Sequence, residues 1–392
     1  MTKKIEYPRK SAFINRTEEL NFLSDWIHEE PNEILFLYGP KSSGKTTLLM
    51  KFIELHVNGK DFNIKHFNLR KVLIANYTDF IQAFFEVDYS KSPQDIKQRS
   101  EYSLKVFKLS KEIKKSLENK ILDPFVVMEN ELNKFVKKGK RPVIIIDELQ
   151  AMENIYMNGQ RELLNELFNF WVAITKESHL CHVIIASSDG YFMKRIYEDS
   201  KLTKTSIFFA VDYLNEKDTK NWLRHLNTES NIKQYTLSNS QIDLIWKYLG
   251  GSIWEISYLL KALKKYALKK SIPNEYLMEK ISDLITVNYG KFQHYALYKK
   301  DKVLLFKEIY DICIHKPHFD FVDLKSLIID KIYNNITLLE ELITLVKMNY
   351  LAFNPVDSSY QLQGSSMFYG LEKFTENFTE DFVKLMPENV ET

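Results

Sequence analysis

The amino-acid sequence predicts an α/β fold in which a parallel sheet is flanked by helices. The first observation is a Gly- and Lys-containing loop at residues 39–46, which follows an apolar run of strand length and precedes an amphipathic helix. The second is a run of four β-branched residues at 143–146, typical of a parallel strand buried on both faces. The third is a change to purely helical patterning after residue 213.

Residues 39–46 read Gly-Pro-Lys-Ser-Ser-Gly-Lys-Thr, the full G-x-x-x-x-G-K-S/T pattern of a phosphate-binding loop. Gly39 and Gly44 allow the backbone to turn its N–H groups inward, and the positive end of the following helix faces the anion. Lys45 is expected to reach the β- and γ-phosphates, and the Thr46 hydroxyl to coordinate Mg²⁺. The loop therefore predicts a P-loop NTPase. The residues expected to contact the nucleotide here are Gly39, Pro40, Lys41, Ser42, Ser43, Gly44, Lys45, Thr46 and Thr47.

Two carboxylates, Asp147 and Glu148, come directly after the β-branched run. Ligands of open α/β sheets bind at the carboxyl ends of the strands, so both side chains are expected near the phosphates. Asp147 is predicted to hold Mg²⁺ through its water shell. Glu148 is predicted to orient or deprotonate the water that attacks the γ-phosphate.

A further apolar run at 182–186 ends in two hydroxyl residues, Ser187 and Ser188. If this strand lies between the phosphate-loop strand and the Asp-Glu strand, one of these hydroxyls would lie near the γ-phosphate. Either serine is then a candidate polar sensor with a catalytic role. The alternative is that Ser-Ser-Asp-Gly is only a turn, and the sequence does not decide between the two.

The patterns divide the chain into three predicted domains. Residues 1–213 would form the P-loop ATPase domain, ending in a last strand near 206–211. Residues 214–296 would form a helical lid, which is interrupted at Gly250 and Gly251. Residues 297–392 contain three helical segments and then two short strands, the outline of a winged helix.

Composition excludes several classes of protein. The chain is 45% hydrophobic and 27% charged, which is typical of a soluble globular protein. It has no apolar run of transmembrane length and no apolar stretch of a signal peptide at its N-terminus. Cys181 and Cys313 are too few and too far apart for a disulfide framework or a zinc site. We expect a cytoplasmic protein without a membrane partner.

The distribution of charge bears on nucleic-acid binding. Residues 297–392 contain ten lysines, no arginine and fifteen acidic residues, which disfavours DNA as a partner of the winged helix. Residues 91–120 carry nine Lys or Arg against four acidic residues. This segment is either an anion-binding or partner-binding arm or a solvated helical face.

Residues 13–20, Phe-Ile-Asn-Arg-Thr-Glu-Glu-Leu, read by themselves as the start of an ordinary capped helix. They also resemble the opening motif F-x-x-R-x-x-E-L of the archaeal ATPase family. That family belongs with the signal-transduction NTPases of the AAA-type class and is related to the origin-recognition initiator ATPases. The resemblance implies that this segment folds over the nucleotide base, with Arg16 a structural or binding residue.

The resemblance covers nearly the whole chain. Residues 146–148 match the family's hydrophobic strand ending in Asp-Glu, and residues 186–188 stand where the family commonly has Gly-Ser. Residues 249–253 stand where the lid has Gly-Gly-x-Pro, with Ile253 in place of the proline. The family often has an arginine near the positions of Lys204 and Thr205. None is present there, and Arg195 is the nearest alternative.

The resemblance implies ATP as the nucleotide and allows three functions. The first is a Mg²⁺-dependent ATPase of slow basal rate, in which the lid and the winged helix move with the nucleotide state. The second is a slow nucleotide-dependent switch or scaffold with negligible turnover. The third is an initiator-like DNA-binding ATPase. The expected partners are ATP and ADP, with a protein client or a second copy of the chain as further possibilities.

Overall fold

The computed structural model describes residues 13–57, 59–87, 106–157, 161–199, 202, 204–266, 271–297 and 299–378. The chain forms two compact units. The sheet unit contains residues 17–39 and 45–211. The helical unit contains, among the described residues, 13–16, 40–44 and those from 212 onward.

The helices and strands follow in chain order. The strands are β1 (Ile34–Tyr38), β2 (Phe62–Asn68), β3 (Phe85–Val87), β4 (Phe107–Leu109), β5 (Arg141–Asp147), β6 (Tyr156–Met157), β7 (Arg161–Glu162), β8 (His182–Ala186), β9 (Ser206–Ala210), β10 (Leu351–Phe353) and β11 (Tyr360–Leu362). The helices of the sheet unit are α1 (Thr17–His28), α2 (Lys45–His56), α3 (Tyr77–Phe84), α4 (Lys111–Glu118), α5 (Pro124–Val136), α6 (Leu163–Val172) and α7 (Gly190–Asp199). Those of the helical unit are α8 (Glu216–Arg224), α9 (Leu226–Glu229), α10 (Asn239–Leu249), α11 (Ile253–Leu263), α12 (Asn274–Tyr295), α13 (Lys300–His315), α14 (Lys325–Ile329), α15 (Asn335–Lys347) and α16 (Ser365–Asn377).

The sheet unit is built on five parallel strands in the order β2-β5-β8-β1-β9. Every residue of β1 and β8 is buried, which explains their continuous apolar sequences. Helices cover the sheet because parallel neighbours need crossover connections. The predicted α/β fold with a parallel sheet is therefore confirmed. Strand β8 lies between β1 and β5, which is the arrangement that the sensor prediction required.

A small subdomain connects β2 to β5 and is rich in aromatic side chains. The ring of Phe67 stacks on that of Phe84 at 4.2 Å, and Phe107 lies against Phe85 at 5.6 Å. Strand β4 pairs in parallel with β3, so the helical interpretation of the basic segment is wrong at residues 107–109. Phe107 is buried in the core, which favours a strand at this position over a solvated helical face. The part of that segment at 91–105 lies outside the described residues.

Helix α6 begins at Leu163, because Arg161 and Glu162 pair with β6 in an antiparallel ribbon. The helix ends in one π turn, at Ala173–Glu177, where the Thr175 hydroxyl donates to the carbonyl oxygen of Trp171.

Helices α8 to α12 enclose a second apolar core that includes Ile14 and Trp222. Helix α16, which the sequence reading did not anticipate, crosses α12 at Gly370. A Cβ atom built there would lie 2.7 Å from the Cβ of Asn288, so only glycine permits this approach. The order of three helical segments and a hairpin after residue 297 is as predicted. The winged-helix assignment and the domain boundaries at 213 and 296 stay predictions.

Within the described ranges, no helix combines the length and the apolar composition that crossing a bilayer requires.

Candidate functional site

The phosphate loop joins β1 to α2 through an unusual backbone. Gly39 has φ +146° and Gly44 has φ +100°, and Ser42 between them has φ +64°. A Cβ built on Gly39 would lie 2.2 Å from the carbonyl oxygen of Val211, which fixes glycine at this position. Alternation of left- and right-handed residues turns successive N–H groups to one side and creates a concavity that suits an anion.

Lys45 and Thr46, the first residues of α2, are held by partners within the sheet unit. The Lys45 ammonium is buried and donates to the carbonyl oxygen of Gly39 at 2.9 Å. The Thr46 hydroxyl donates to Oδ2 of Asp147 at 2.8 Å. The next residue, Thr47, is exposed.

The chemistry of Thr46 and Asp147 fits Mg²⁺. A hydroxyl and a carboxylate converge at the start of a helix and at the carboxyl end of a strand, and both are oxygen ligands of the kind that Mg²⁺ prefers. No group of three or more His, Cys, Asp or Glu able to hold a metal exists among the described residues. Mg²⁺ is usually held by one or two protein oxygens together with substrate phosphates and water.

Glu148 is buried and follows β5 in the left-handed conformation, with φ +65°. Both of its carboxylate oxygens have protein partners. Oε1 accepts a hydrogen bond from the Arg70 guanidinium, and Oε2 accepts one from the Gln150 amide at 2.5 Å. The carboxylate is therefore oriented by two side chains that follow the ends of β2 and β5.

The two candidate sensor serines differ in their surroundings. Ser187 is fully buried and its hydroxyl donates to Oε1 of Gln150 at 2.9 Å, so it joins the hydrogen-bond chain that reaches Glu148. It also accepts from the backbone N–H of Asp189 at 2.9 Å, as in a turn. The bond from Asp189 fits the turn interpretation, and the sensor role of Ser187 stays a prediction. Ser188 is half-buried.

Arg16 lies in the helical unit, and its guanidinium forms hydrogen bonds with main-chain carbonyl oxygens. Its guanidinium donates to the carbonyl oxygens of Ser43 and Asp212, each at 2.8 Å. The side chain is buried, with 7% of its surface exposed, so these bonds tie the loop to the segment that opens the helical unit. Beside it, the Ser43 hydroxyl is fully buried and has no hydrogen-bond partner in the described part of the chain. A buried hydroxyl without a protein partner is typical of a position where a bound ligand accepts its hydrogen bond.

Lys41, at the tip of the phosphate loop, contacts Tyr213 and Gln363, two residues of the helical unit. Its N–H donates to Oε1 of Gln363 at 3.1 Å, and its carbonyl oxygen accepts from the Tyr213 hydroxyl at 3.1 Å. Burial raises the pKa of the Tyr213 phenol, and the charges of Glu255 and Asp212 raise it further. Tyr213 therefore stays protonated and acts as a donor.

The remaining positions singled out from the sequence are also defined. A Cβ built on Gly44 would lie 3.4 Å from Cδ1 of Ile253, so the residue that replaces the family's proline packs beside the loop. Pro40 is buried. Arg195 forms an ion pair with Glu153 at 2.8 Å.

Sequence reasoning missed Arg70, Gln150, Tyr213 and Gln363. A signal existed for the first two, because Arg70 follows the end of β2 and Gln150 follows the end of β5, at the sheet edge where ligands bind. No comparable signal existed for Gln363, which is 322 residues away from its partner Lys41.

The fold and the loop define a P-loop NTPase. A parallel sheet carries the phosphate loop after one strand and an Asp-Glu pair after another, and β8 separates these two strands.

Within that class, the chain belongs to the archaeal ATPase family. Residues 13–259 match the family model described as an ATPase domain predominantly from Archaea. An uncharacterized ATP-binding protein of Methanocaldococcus jannaschii is 35% identical over 327 residues, covering 76% of this chain and 93% of that protein. Another from the same organism is 31% identical over 380 residues, covering 92% of this chain and 98% of the relative.

Two solved structures share the fold at low sequence identity. A Walker-type ATPase of Pyrococcus abyssi has a TM-score of 0.60 at 15% identity, over 92% of this chain and 96% of that one. The ORC2 protein of Aeropyrum pernix, in ADPNP and ADP complexes, has a TM-score of 0.52 at 10% identity, over 95% of this chain and 97% of that one.

Proposed function

We propose that this protein binds ATP at the phosphate loop and hydrolyses it in a Mg²⁺-dependent reaction. The observation that carries the proposal is the hydrogen bond between Thr46 and Asp147 beside the oriented carboxylate of Glu148. These are the oxygen ligands and the base that phosphoryl transfer to water requires. The assignment of ATP as the nucleotide rests on the family to which the chain belongs.

Each residue has one task in this proposal. Thr46 and Asp147 would hold Mg²⁺, which supplies charge neutralisation for the β- and γ-phosphates. Lys45 would exchange its bond to the Gly39 carbonyl for a phosphate oxygen. Glu148 would accept a proton from the attacking water, and Ser187 would position Gln150 beside it.

Removal of the metal tests the proposal. With Mg²⁺ present, the purified protein is expected to release phosphate from ATP. Chelation with EDTA should lower the rate by about 100-fold or more, because charge on the transferring phosphate is no longer neutralised. Phosphate release and equilibrium ATP binding are both measured. Failure to bind ATP, or release that continues unchanged in EDTA, would contradict the proposal.

A nucleotide-dependent switch with negligible turnover is the second candidate. The pairing of both Glu148 oxygens with Arg70 and Gln150 favours it, because a carboxylate engaged in this way is not free to take a proton from water. Measured turnover separates the two candidates. Tight ATP binding with phosphate release at the rate of the buffer alone would support the switch. The acidic C-terminal region offers no comparable support for the DNA-binding candidate.

Coupling of the nucleotide state to the C-terminal hairpin is also part of the proposal. Gln363 follows β11, and besides accepting from the Lys41 N–H it donates to the carbonyl oxygen of Leu351 in β10 at 2.9 Å. A change in the loop tip on binding phosphate would therefore alter hydrogen bonding in the hairpin.

The variant Gln363→Leu tests this coupling. ATP is expected to change amide hydrogen exchange at residues 351–363 in the wild type and much less in the variant. ATP affinity should fall by only about two- to fivefold, the effect of one neutral hydrogen bond. Gln361→Leu, two residues earlier and within β11, serves as the control. The same ATP-dependent change in all three proteins would argue against the coupling.

A further inference from the structure

A cavity of about 550 Å³ lies beside the tip of the phosphate loop, within the helical unit. Lys41 and Ser42 form one wall, and α12 contributes Asn288 and Lys291 to another. Ser252 and Glu255, at the start of α11, also line the cavity. Polar groups converge here on a concave space next to a loop of phosphate-binding sequence, a combination typical of a ligand site.

Lys291 is fixed in position by its helix. The next residue, Phe292, is buried against Phe306 at 4.8 Å, and the Lys291 carbonyl oxygen accepts from the Tyr350 hydroxyl at 2.9 Å. Asn288, one turn earlier on α12, donates to the Ser366 hydroxyl at 2.9 Å. These contacts hold the backbone of α12 at Lys291, and the exposed Lys291 side chain lines the cavity.

The cavity carries excess positive charge. Among the described residues, no carboxylate lies within ion-pair distance of the ammonium of Lys41 or Lys291. Partial burial lowers the pKa of Lys291, and the nearby charge of Lys41 lowers it further, against the charge of Glu255, which raises it. Two ammonium groups that repel each other across a cavity gain free energy when an anion enters between them.

Glu255 is the acidic residue that lines this cavity, and it does not neutralise both lysines. One of its carboxylate oxygens accepts from the Ser366 hydroxyl, and the other is buried without a hydrogen-bond partner in the described part of the chain. Burial raises the pKa of the carboxyl, against the hydrogen bond from Ser366 and the charge of Lys291. A carboxyl with a raised pKa opposes an incoming anion less than a free carboxylate does.

We propose that this cavity binds a phosphate oxyanion between the ammonium groups of Lys41 and Lys291. Two sources share this chemistry, the terminal phosphate of the bound triphosphate and free inorganic phosphate. The first source rests on the proposed function. The terminal phosphate reaches this cavity only if the phosphate loop, which includes Lys41 and Ser42, binds the triphosphate. Lys291 acts in this proposal as a ligand-contacting residue that distinguishes ATP from ADP.

Binding measurements on Lys291→Met test the proposal. Titration calorimetry with Mg²⁺ compares a non-hydrolysable ATP analogue, ADP, and inorganic phosphate added to the ADP complex. If the terminal phosphate is the ligand, analogue affinity falls about tenfold and ADP affinity changes less than about twofold, since one charge-assisted hydrogen bond is lost. If free phosphate is the ligand, only the third titration loses its signal. Lys291→Arg should retain the wild-type pattern in either case.

Two further variants keep the test decisive. Lys280→Met removes a lysine from the same helix, where Lys280 pairs with Glu279 and Asp283, and should change none of the three titrations. Lys41→Met alters an exposed side chain and should reproduce the loss even if Lys291→Met is poorly folded. Equal losses for the analogue and ADP, or no loss in any titration, would overturn the proposal. A wild-type protein that binds neither nucleotide would instead overturn the proposed function.

Discussion

Replacement of Glu148 by Gln is expected to reduce ATP turnover by about 100-fold or more, while ATP affinity stays within about threefold of the wild type. Glutamine keeps the size of the side chain, and its carbonyl oxygen still accepts a hydrogen bond from Arg70 or Gln150. It does not accept a proton from water at neutral pH, so the chemical step fails and binding survives. Steady-state phosphate release and equilibrium ATP binding give the two values.

The matched control for this substitution is Glu153→Gln. Glu153 lies five residues further along the chain, and its carboxylate pairs with Arg195. Its replacement is expected to leave turnover within about twofold, as for a partly exposed ion pair of small energetic value. If Glu148→Gln and Glu153→Gln hydrolyse ATP equally well, Glu148 is not the base.

The variant Gly39→Ala is expected to lose about 2–4 kcal/mol of folding free energy and to bind ATP poorly. The added Cβ would lie 2.2 Å from the Val211 carbonyl oxygen and 2.9 Å from its carbonyl carbon, both of them backbone atoms. The positive φ of Gly39 adds strain that alanine does not relieve. Relief requires displacement of the segment after β9, which holds the loop through the hydrogen bond from Val211 N–H to the Tyr38 carbonyl oxygen at 2.8 Å.

Urea denaturation monitored by circular dichroism gives the stability of this variant. Gly290→Ala provides the control, because Gly290 lies within α12 and a Cβ there meets nothing within 4 Å. Alanine should stabilise that helix by about 0.5–1 kcal/mol. If Gly39→Ala unfolds at the wild-type urea concentration, the close approach to Val211 does not hold in solution.

The sequence predicted the sheet well because its strands are buried on both faces. Strands β1, β5 and β8 are apolar almost without interruption, so their positions could be read without knowledge of their neighbours. Strands β3 and β4 have three residues each, too few to display a period. Helix α16 carried a readable signal, since Met367, Leu371 and Phe374 repeat at helical spacing and are buried.

The candidate site likewise has contacts that the sequence predicts and contacts that it does not. The approach of Thr46 to Asp147 follows from general rules for helix starts and strand ends. The pairing of Arg70 with Glu148 spans 78 residues, and that of Tyr213 with Lys41 spans 172. Such pairs depend on how side chains meet after folding, and a single sequence carries no pattern that specifies them.

The division of the chain into units has a consequence for recombination. The polypeptide passes from one unit to the other after residues 16, 39, 44 and 211. A gene fragment that ends at 211 would encode Lys45, Asp147 and Glu148 but would lack Tyr213 and Gln363, which bind the loop tip. Exchange of the C-terminal half between relatives would therefore have to carry the loop tip and Arg16 with it. A chimaera that keeps these contacts would take all three stretches from the same parent.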